Sequence, residues 1–347
     1  MVLVPGCRDR RQKGSRPRMA GLRVGRAFQP DICDADLHQR VPGRCAGADE
    51  DGPGRTANAF TVDVEDYFHA SAFRDVAPPE KWDQFEPRVV ESTWRIMEML
   101  EAHGARGTFF VLGWVAERLP GLVREIAARG HEVACHGHMH RSVNEMTRAE
   151  FADEIGGAKR AIEAAAGKTV LGFRAPNYSI PEMSHWAFDE LRDAGFRYDS
   201  SVFPTRWRRT GLPDAPTEPF VHQSGLHEFP MTTVPLLGSR WPVAAGTYLR
   251  IAPYKVTEWV LRRLNRAGTP FIVMVHPWDI DPDQPRVSAG PLVRLKHYTN
   301  LEKMAERLRR LLEQFTFAPL GDSLPGRRPE PVVASAGTLL RADGVRG

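Results

Sequence analysis

Short apolar, β-branched runs separated by longer stretches of helical periodicity are the feature that most constrains this chain. The first run, Ala59-Phe-Thr-Val-Asp-Val64, reads as a buried strand and leads straight into Glu65 and Asp66. Residues 88–103 then set Val89, Val90, Thr93, Trp94, Met97 and Leu100 at helical spacing, and Gly104 stops the pattern before the strand Gly107-Thr-Phe-Phe-Val-Leu112. Apolar side chains recurring every three or four residues mark a helix with one buried face, and glycine just past its end accepts the left-handed conformation that closes it. The alternation continues with a helix over 114–129 broken at Pro120-Gly121, a strand over 132–135, and a helix that Thr147 and Glu150 open as a capping box and that runs to about Ala166. A strand over 170–173, a helix over 184–194, a strand over 196–199, a helix over 254–266, the apolar run 270–276 and a helix over about 300–314 before 315–317 complete it. Strands alternating with helices predict a parallel sheet, because a crossover helix is the usual link between parallel neighbours. Between 203 and 250 the chain is rich in Pro, Trp, Thr and Gly, and short apolar pieces such as 226–231 and 248–251 predict irregular excursions around two or three short strands.

In parallel α/β folds reactive groups gather beyond the carboxyl ends of the strands. Asp63, His136, Arg174, Asp199 and His276 all stand at such ends. The run 131–141 also packs four of the twelve histidines into ten positions. His136 and His140 lie four apart, so a helical turn after the strand would aim both imidazoles to one side, as two ligands of a divalent metal. One carboxylate of Asp63-Val64-Glu65-Asp66 would complete an open site and another would serve as base toward bound water. His276 would be the acid, since an imidazolium near neutrality can give a proton to a leaving amine. Cys135 lacks an evident base partner and is expected to be a small apolar filler. Trp82, Trp94, Trp114 and Trp186 are expected in packing roles, and Trp207, Trp241 and Trp278, in loop-like segments, are candidates for an exposed stacking platform. The other histidines, His69 among them, take no role.

Charge and cysteine usage narrow the classes further. Residues 1–58 hold eleven Lys and Arg against seven Asp and Glu, leaving 36 of each sign in the remainder. A neutral body argues against a nucleic-acid-binding face, which needs a net basic excess. Cys7, Cys33 and Cys45 lie in the amino-terminal stretch and only Cys135 in the body, so no disulfide framework is expected and a reducing, cytoplasmic setting fits. No stretch reaches the ~18 apolar residues of a membrane span, and no secretory leader is recognisable. Residues 1–58 and 323–347 are expected to be disordered, with Met19 an alternative start.

The motifs, taken together and in this order, resemble the NodB-homology polysaccharide deacetylases, carbohydrate esterase family 4, over about Phe60 to Asp322. The likeness leans to the subgroup found with exosortase-linked exopolysaccharide gene clusters. Thr61-Val-Asp63-Val-Glu65-Asp66 stands for the family's first motif, with Asp63 matching the base and Glu65 the metal carboxylate, Asp66 competing. His136-Gly-His-Met-His140 matches the paired metal histidines and leaves His138 a bystander. Arg174-Ala-Pro-Asn177 matches the motif whose arginine orients the base, with a backbone N–H of Asn177 or Tyr178 toward the oxyanion. Asp199-Ser-Ser keeps the acid of the fourth motif, as a bridge to His276 or Arg174, and Val273-Met-Val-His276 supplies the general acid.

The resemblance implies a distorted, partly open (β/α) barrel with about seven parallel strands. It implies one deacetylase domain over 59–322, of which about 280–322 is family-specific. The implied reaction is metal-assisted hydrolysis of the amide of an N-acetylated sugar, releasing acetate and a free amine. Two histidines and a carboxylate suit zinc and admit other first-row ions. An N-acetylated bacterial exopolysaccharide is the expected partner, along with its assembly machinery. Two other substrates, a small cyclic amide as in allantoinase-like relatives and peptidoglycan, belong to the same superfamily. A degenerate barrel that only binds glycan is the non-enzymatic alternative.

Overall fold

A computed structural model describes residues 56–180, 184–206 and 210–326, and the backbone of Gln39–Arg40. Its strands are β1 (Gln39–Arg40), β2 (Ala57–Val64), β3 (Thr108–Val111), β4 (Glu132–Cys135), β5 (Gly172–Phe173), β6 (Tyr198–Asp199), β7 (Phe220–Val221) and β8 (His227–Glu228). There follow β9 (Thr233–Leu236) and β10 (Ser239–Pro242), which form a separate hairpin, then β11 (Ile272–Val275) and β12 (Thr316–Ala318). The main sheet runs in the order β1-β7-β8-β6-β5-β4-β3-β2-β11, with β12 also paired to β2. Every pairing from β8 to β11 is parallel, and β12 joins β2 in parallel too, so eight described strands form the parallel part. The sheet curls strongly into a half-barrel. Beyond β11 its edge meets Ala245, which bridges to Met274, and no pairing of β11 with β8 closes the ring.

Alternation along the strands sorts the core into two. Phe60, Val62, Val64, Phe109, Val111, Cys135 and Phe173 face the helices that wrap the outside. Ala59, Phe110, Ala134, Tyr198, Ile272 and Met274 belong to a second apolar cluster on the other face. With side chains reversing at each residue, Thr61 and Asp63 share that second face, so Asp63 is aimed into the concave interior. Register does the rest. Asp63 lies opposite Phe110, Cys135 opposite Phe173, Phe173 opposite Asp199, and Val275 opposite Val62. The residues next in sequence, His136, Arg174 and His276, therefore leave the sheet at one level beside Asp63.

The helices are α1 (Val89–Ala102), α2 (Gly113–Arg118), α3 (Pro120–Ala128), α4 (Arg148–Ala166), α5 (Trp186–Asp193), α6 (Gly246–Ile251), α7 (Tyr254–Arg266), α8 (Pro291–Tyr298) and α9 (Leu301–Gln314). Thr147 and Glu150 cap α4 reciprocally as the sequence predicts, and Gly167 ends it at φ 67°. Two expectations fail. Residues 248–251 lie in α6, where buried Arg250 donates to the carbonyls of Lys296, His297 and Thr299, an anchoring that local β propensity does not reveal. Helix α8 was not anticipated because Leu292 and Leu295 are exposed, leaving too little buried periodicity to read.

Both ends of the folded body reach slightly past the expected 59–322. Asn58 is buried in β2, donating to Asn265 Oδ1 at 3.0 Å and Thr316 O at 3.1 Å and accepting from Phe271 N–H at 3.0 Å. A polar residue that closes three strand ends looks like linker in one dimension. At the other end Leu324 packs into the inner cluster. Most of 1–58, all of 327–347 and Trp207 lie outside the described residues.

Candidate active site

Asp63 and Arg174 form the buried base of the site. The Arg174 guanidinium has no exposed surface and donates from Nη1 to Asp63 Oδ1 at 2.7 Å and Thr61 Oγ1 at 2.9 Å. It also donates from Nη2 to Ser200 Oγ at 3.0 Å and from Nε to Ser200 O at 3.2 Å, and it lies over the Phe110 ring. A buried charge held by a carboxylate and three further oxygens is fully compensated, and the carboxylate is fixed in place by the same bonds. Asp63 Oδ2 is left on the far side, 3.9 Å from His136 Nε2.

Glu65, His136 and His140 converge next to it, each offering a ligand atom within 4.8 Å of the other two. His136 Nδ1 bonds to Arg174 O at 2.9 Å, which fixes the proton there and leaves Nε2 as the available lone pair. Burial pushes the His136 imidazole down to about 4, against the pull of Asp63 and Glu65, so it is neutral near pH 7. Glu65 is 2% exposed. Its burial alone would raise the carboxyl, but His140, His276 and His136 outweigh that and hold it well below the ordinary carboxylate range. Glu65 Oε2 lies 2.7 Å from His140 Nε2. Two imidazoles and a buried carboxylate gathered this closely are the donor set of a divalent cation, and these residues fit one. Gly137 at φ 78° and His140 at φ 51° provide the turn that brings the second imidazole back. That is a left-handed loop rather than the helical turn anticipated.

Asp66 turns the other way. Its Oδ2 accepts from the N–H groups of Arg88 at 2.7 Å and Val89 at 2.9 Å, and its Oδ1 accepts from Tyr67 N–H at 3.0 Å. Burial raises its carboxyl to about 6 despite those bonds. Glu65, not Asp66, thus stands with the histidines, and Asp66 ties the start of α1 to the strand end. Asp66→Ala is expected to cost about 2 kcal/mol of stability in urea unfolding while bound metal per chain stays unchanged. Loss of the metal with stability intact would reverse that assignment.

On the opposite side His276 Nε2 approaches Glu65 Oε1 at 3.2 Å, and His276 Nδ1 bonds Asp279 Oδ2 at 3.0 Å. Asp279 Oδ1 accepts from Arg250 Nε at 2.9 Å, with both side chains fully buried. Burial alone would lower the His276 imidazole, but Asp279 and Glu65 win and raise it above its ordinary value. Asp279→Asn removes that support. The alkaline limb of the kcat/KM profile should then move to lower pH, as a pH series on the variant would show; an unmoved limb would rule out a His276 acid held by Asp279. Trp278 stacks on His276 at 4.4 Å and on His297 at 4.3 Å and is buried, so it packs the acid and does not offer a sugar platform.

Asp199 makes neither of the bridges expected of it. Its Oδ1 accepts from Ser201 Oγ at 2.6 Å, and Ser201 Oγ accepts from Ala175 N–H at 2.7 Å. Burial raises Asp199 to about 6 and pushes the adjacent Glu228 well above its ordinary value. Asp279 occupies the place that sequence reasoning gave to Asp199. The Asp-after-Pro-Trp signal at 277–279 was present but sat in a turn rather than at a strand end.

The remaining expected residues sort plainly. Tyr178 N–H is committed to Ala175 O at 3.0 Å and does not serve an oxyanion. Asn177, at φ 61°, accepts from Ser71 Oγ and donates to Ser142 Oγ, stapling two loops. His138 lies toward Glu117, at 3.6 Å, and over Gly113, outside the cluster. Cys135 is a buried free thiol that burial pushes up to about 12. His69 accepts Asp66 N–H on Nδ1, at 2.9 Å, and packs against Trp82 and Trp114. It lines a cavity of about 390 Å³ together with His140, Arg74, Arg141 and Ser142.

Residues 81–198 match the family profile described as Polysaccharide deacetylase, and residues 200–324 match one described as Domain of unknown function (DUF3473). Asp63 and Glu65 precede both segments. A chitooligosaccharide deacetylase of Bradyrhizobium sp. (strain ANU 289) is 33% identical over 121 residues, 34% of this chain and 53% of that protein. A peptidoglycan-N-acetylglucosamine deacetylase of Bacillus cereus is 29% identical over 102 residues, 29% of this chain and 37% of that protein. The chain thus spans about half the length, or less, of these curated relatives. A family 4 carbohydrate esterase from Streptomyces lividans, solved in complex with acetate, superposes with a TM-score of 0.41 at 17% identity, covering 75% of this chain and 88% of that one.

Proposed function

We propose that this chain, which carries a polysaccharide deacetylase domain of the NodB-homology family followed by a DUF3473 domain, is a metal-dependent hydrolase that removes N-acetyl groups from amino sugars of a bacterial exopolysaccharide. One observation carries the reading. A carboxylate clamped by a buried arginine, a Glu/His/His ligand set and a carboxylate-backed histidine meet at the carboxyl end of one sheet. Base, ligands and acid together make a hydrolytic site, and a barrel that only bound glycan would have no use for all three. The exopolysaccharide and its assembly machinery as partner rest on the resemblance over Phe60 to Asp322, and a cytoplasmic setting on a body that carries a single cysteine, Cys135.

A divalent cation, for which we propose zinc, would be held by Glu65, His136 and His140 and would supply Lewis-acid polarisation of the acetamide carbonyl and a more acidic water. Asp63 takes the proton of the attacking water on Oδ2, because Arg174 Nη1 occupies Oδ1. Arg174 N–H groups fix the base to within a hydrogen bond of one position, which limits the reorganisation needed on attack. His276 then gives the proton on Nε2 to the departing amine, while Asp279 holds Nδ1 and stabilises the imidazolium before transfer. Acetate and a free amino sugar leave.

The testing experiment combines metal analysis of the purified chain with acetate release from defined N-acetylglucosamine oligomers, from peptidoglycan fragments and from allantoin. Acetate from the oligomers, lost on chelation, is the expected result. Turnover of allantoin without acetate release would overturn the proposal in favour of a cyclic amide hydrolase.

A further inference from the structure

Helix α7 carries a second functional surface, on the outside of the barrel. Its buried side holds Tyr254, Thr257 and Leu261. At 100° per residue, Lys255, Val256, Trp259, Arg262, Arg263 and Arg266 fall within an arc of about 120° on the opposite side, with Trp259 at its centre. Trp259 is 62% exposed and Val256 54%, and Ile251, just before the helix, is 50% exposed. The only acid on this helix, Glu258, is at the margin of the arc and is paired with Arg262 at 3.0 Å. Lys255, Arg263 and Arg266 are exposed and surround the indole. This is not the surface of an ordinary outer helix, which would set acids among the bases and keep large apolar groups inside.

We infer that this face docks onto an anionic lipid bilayer. The bases complement acidic headgroups, and an indole with a valine and an isoleucine beside it settles at headgroup depth, where one end is wet and the other apolar. A soluble acidic polymer would satisfy the cations but leave those three side chains in water. Helix α8 has the same character. Arg250 ties it to α6, and it exposes Leu292 and Leu295 beside Arg294 and Lys296 with no acid in the helix. The orientation suits the site. Helix α7 leads through 267–270 into the start of β11, so its own beginning, with Ile251 and Lys255, lies toward the carboxyl ends of the strands, where His276 sits. Docking there would hold the catalytic mouth close to a membrane at which a polymer is being made.

The full chain is mixed with sedimentable vesicles of phosphatidylcholine alone and of equal parts phosphatidylglycerol and phosphatidylcholine. Binding only to the anionic vesicles, released near 1 M salt where screening acts over ~3 Å, is the expected result. Arg263→Glu with Arg266→Glu should weaken binding at least about tenfold, and Trp259→Ser should abolish the lipid-induced blue shift of tryptophan emission. Both variants should keep the wild-type unfolding midpoint and acetate release from soluble oligomers. Equal binding to both vesicle types, or to neither, overturns the inference. Displacement of the vesicles by polygalacturonate, with no lipid blue shift, assigns the face to an acidic polymer instead. A wild-type dimer that Trp259→Ser renders monomeric in sedimentation velocity assigns it to a second copy.

Discussion

Asp63→Asn is expected to lower kcat by roughly 10²- to 10⁴-fold, the usual contribution of a general base, with bound metal per chain unchanged. Asparagine is the informative replacement because its amide oxygen can still accept from Arg174 Nη1, now at 2.7 Å from Asp63 Oδ1. The geometry survives and only the proton acceptor is lost. Asp63→Ala would instead leave the fully buried Arg174 without its counter-charge, at a cost of about 3–5 kcal/mol, and confound catalysis with unfolding. Steady-state acetate release measured well below each variant's unfolding midpoint separates the two. Activity of Asp63→Asn within a few fold of wild type would remove Asp63 from the base role.

Stripping the metal with a chelator should reduce acetate release to background and lower the unfolding midpoint together. At a free ion concentration of about a thousand times Kd, the bound form is stabilised by about 4 kcal/mol, which the stripped protein loses. The physical cause is in the donor set: Glu65, His136 and His140 bring their ligand atoms within 4.8 Å of one another only in the folded chain, so the ion binds that state and not the unfolded one. Secondary structure should persist, since β2 and β4 are held by their own ladders and not by the site. Restoration by zinc, read in both acetate and midpoint, completes the test. Undiminished activity of metal-free protein would overturn the assignment of Glu65, His136 and His140.

Much of this was legible in the chain. Strands buried on both faces read as continuous apolar runs, and the polar group after each run marks the sheet's carboxyl end whatever the barrel's closure. Asp63, His136, Arg174 and His276 are legible for that reason. The choice between Glu65 and Asp66 is not, because at a strand end the direction of each side chain depends on the next turn. Here the chain turns into Tyr67–His69 and commits Asp66 to the N–H groups of α1. Asp279 was missed because it reaches His276 through a tight turn rather than from a strand. Asp199 was misplaced because a strand-end acid can equally face a second buried acid, and Glu228 stands far along the chain. Trp278 looked like a loop aromatic until its stacking between two imidazoles was visible.

The placement of β2 has a temporal meaning for the cell. This strand carries Asp63 and runs into Glu65, and its partners β11 and β12, which flank it on opposite sides at Ala59, are more than two hundred residues downstream. During synthesis the ribosome releases the histidine pair and Arg174 well before the strand can be clamped from both sides. Such long-range pairing slows folding, and it leaves unpaired apolar edges on β2 until β11 and β12 have emerged. A chain lacking 316–318 would therefore hold Asp63, Glu65 and the histidine pair in an unfinished cleft.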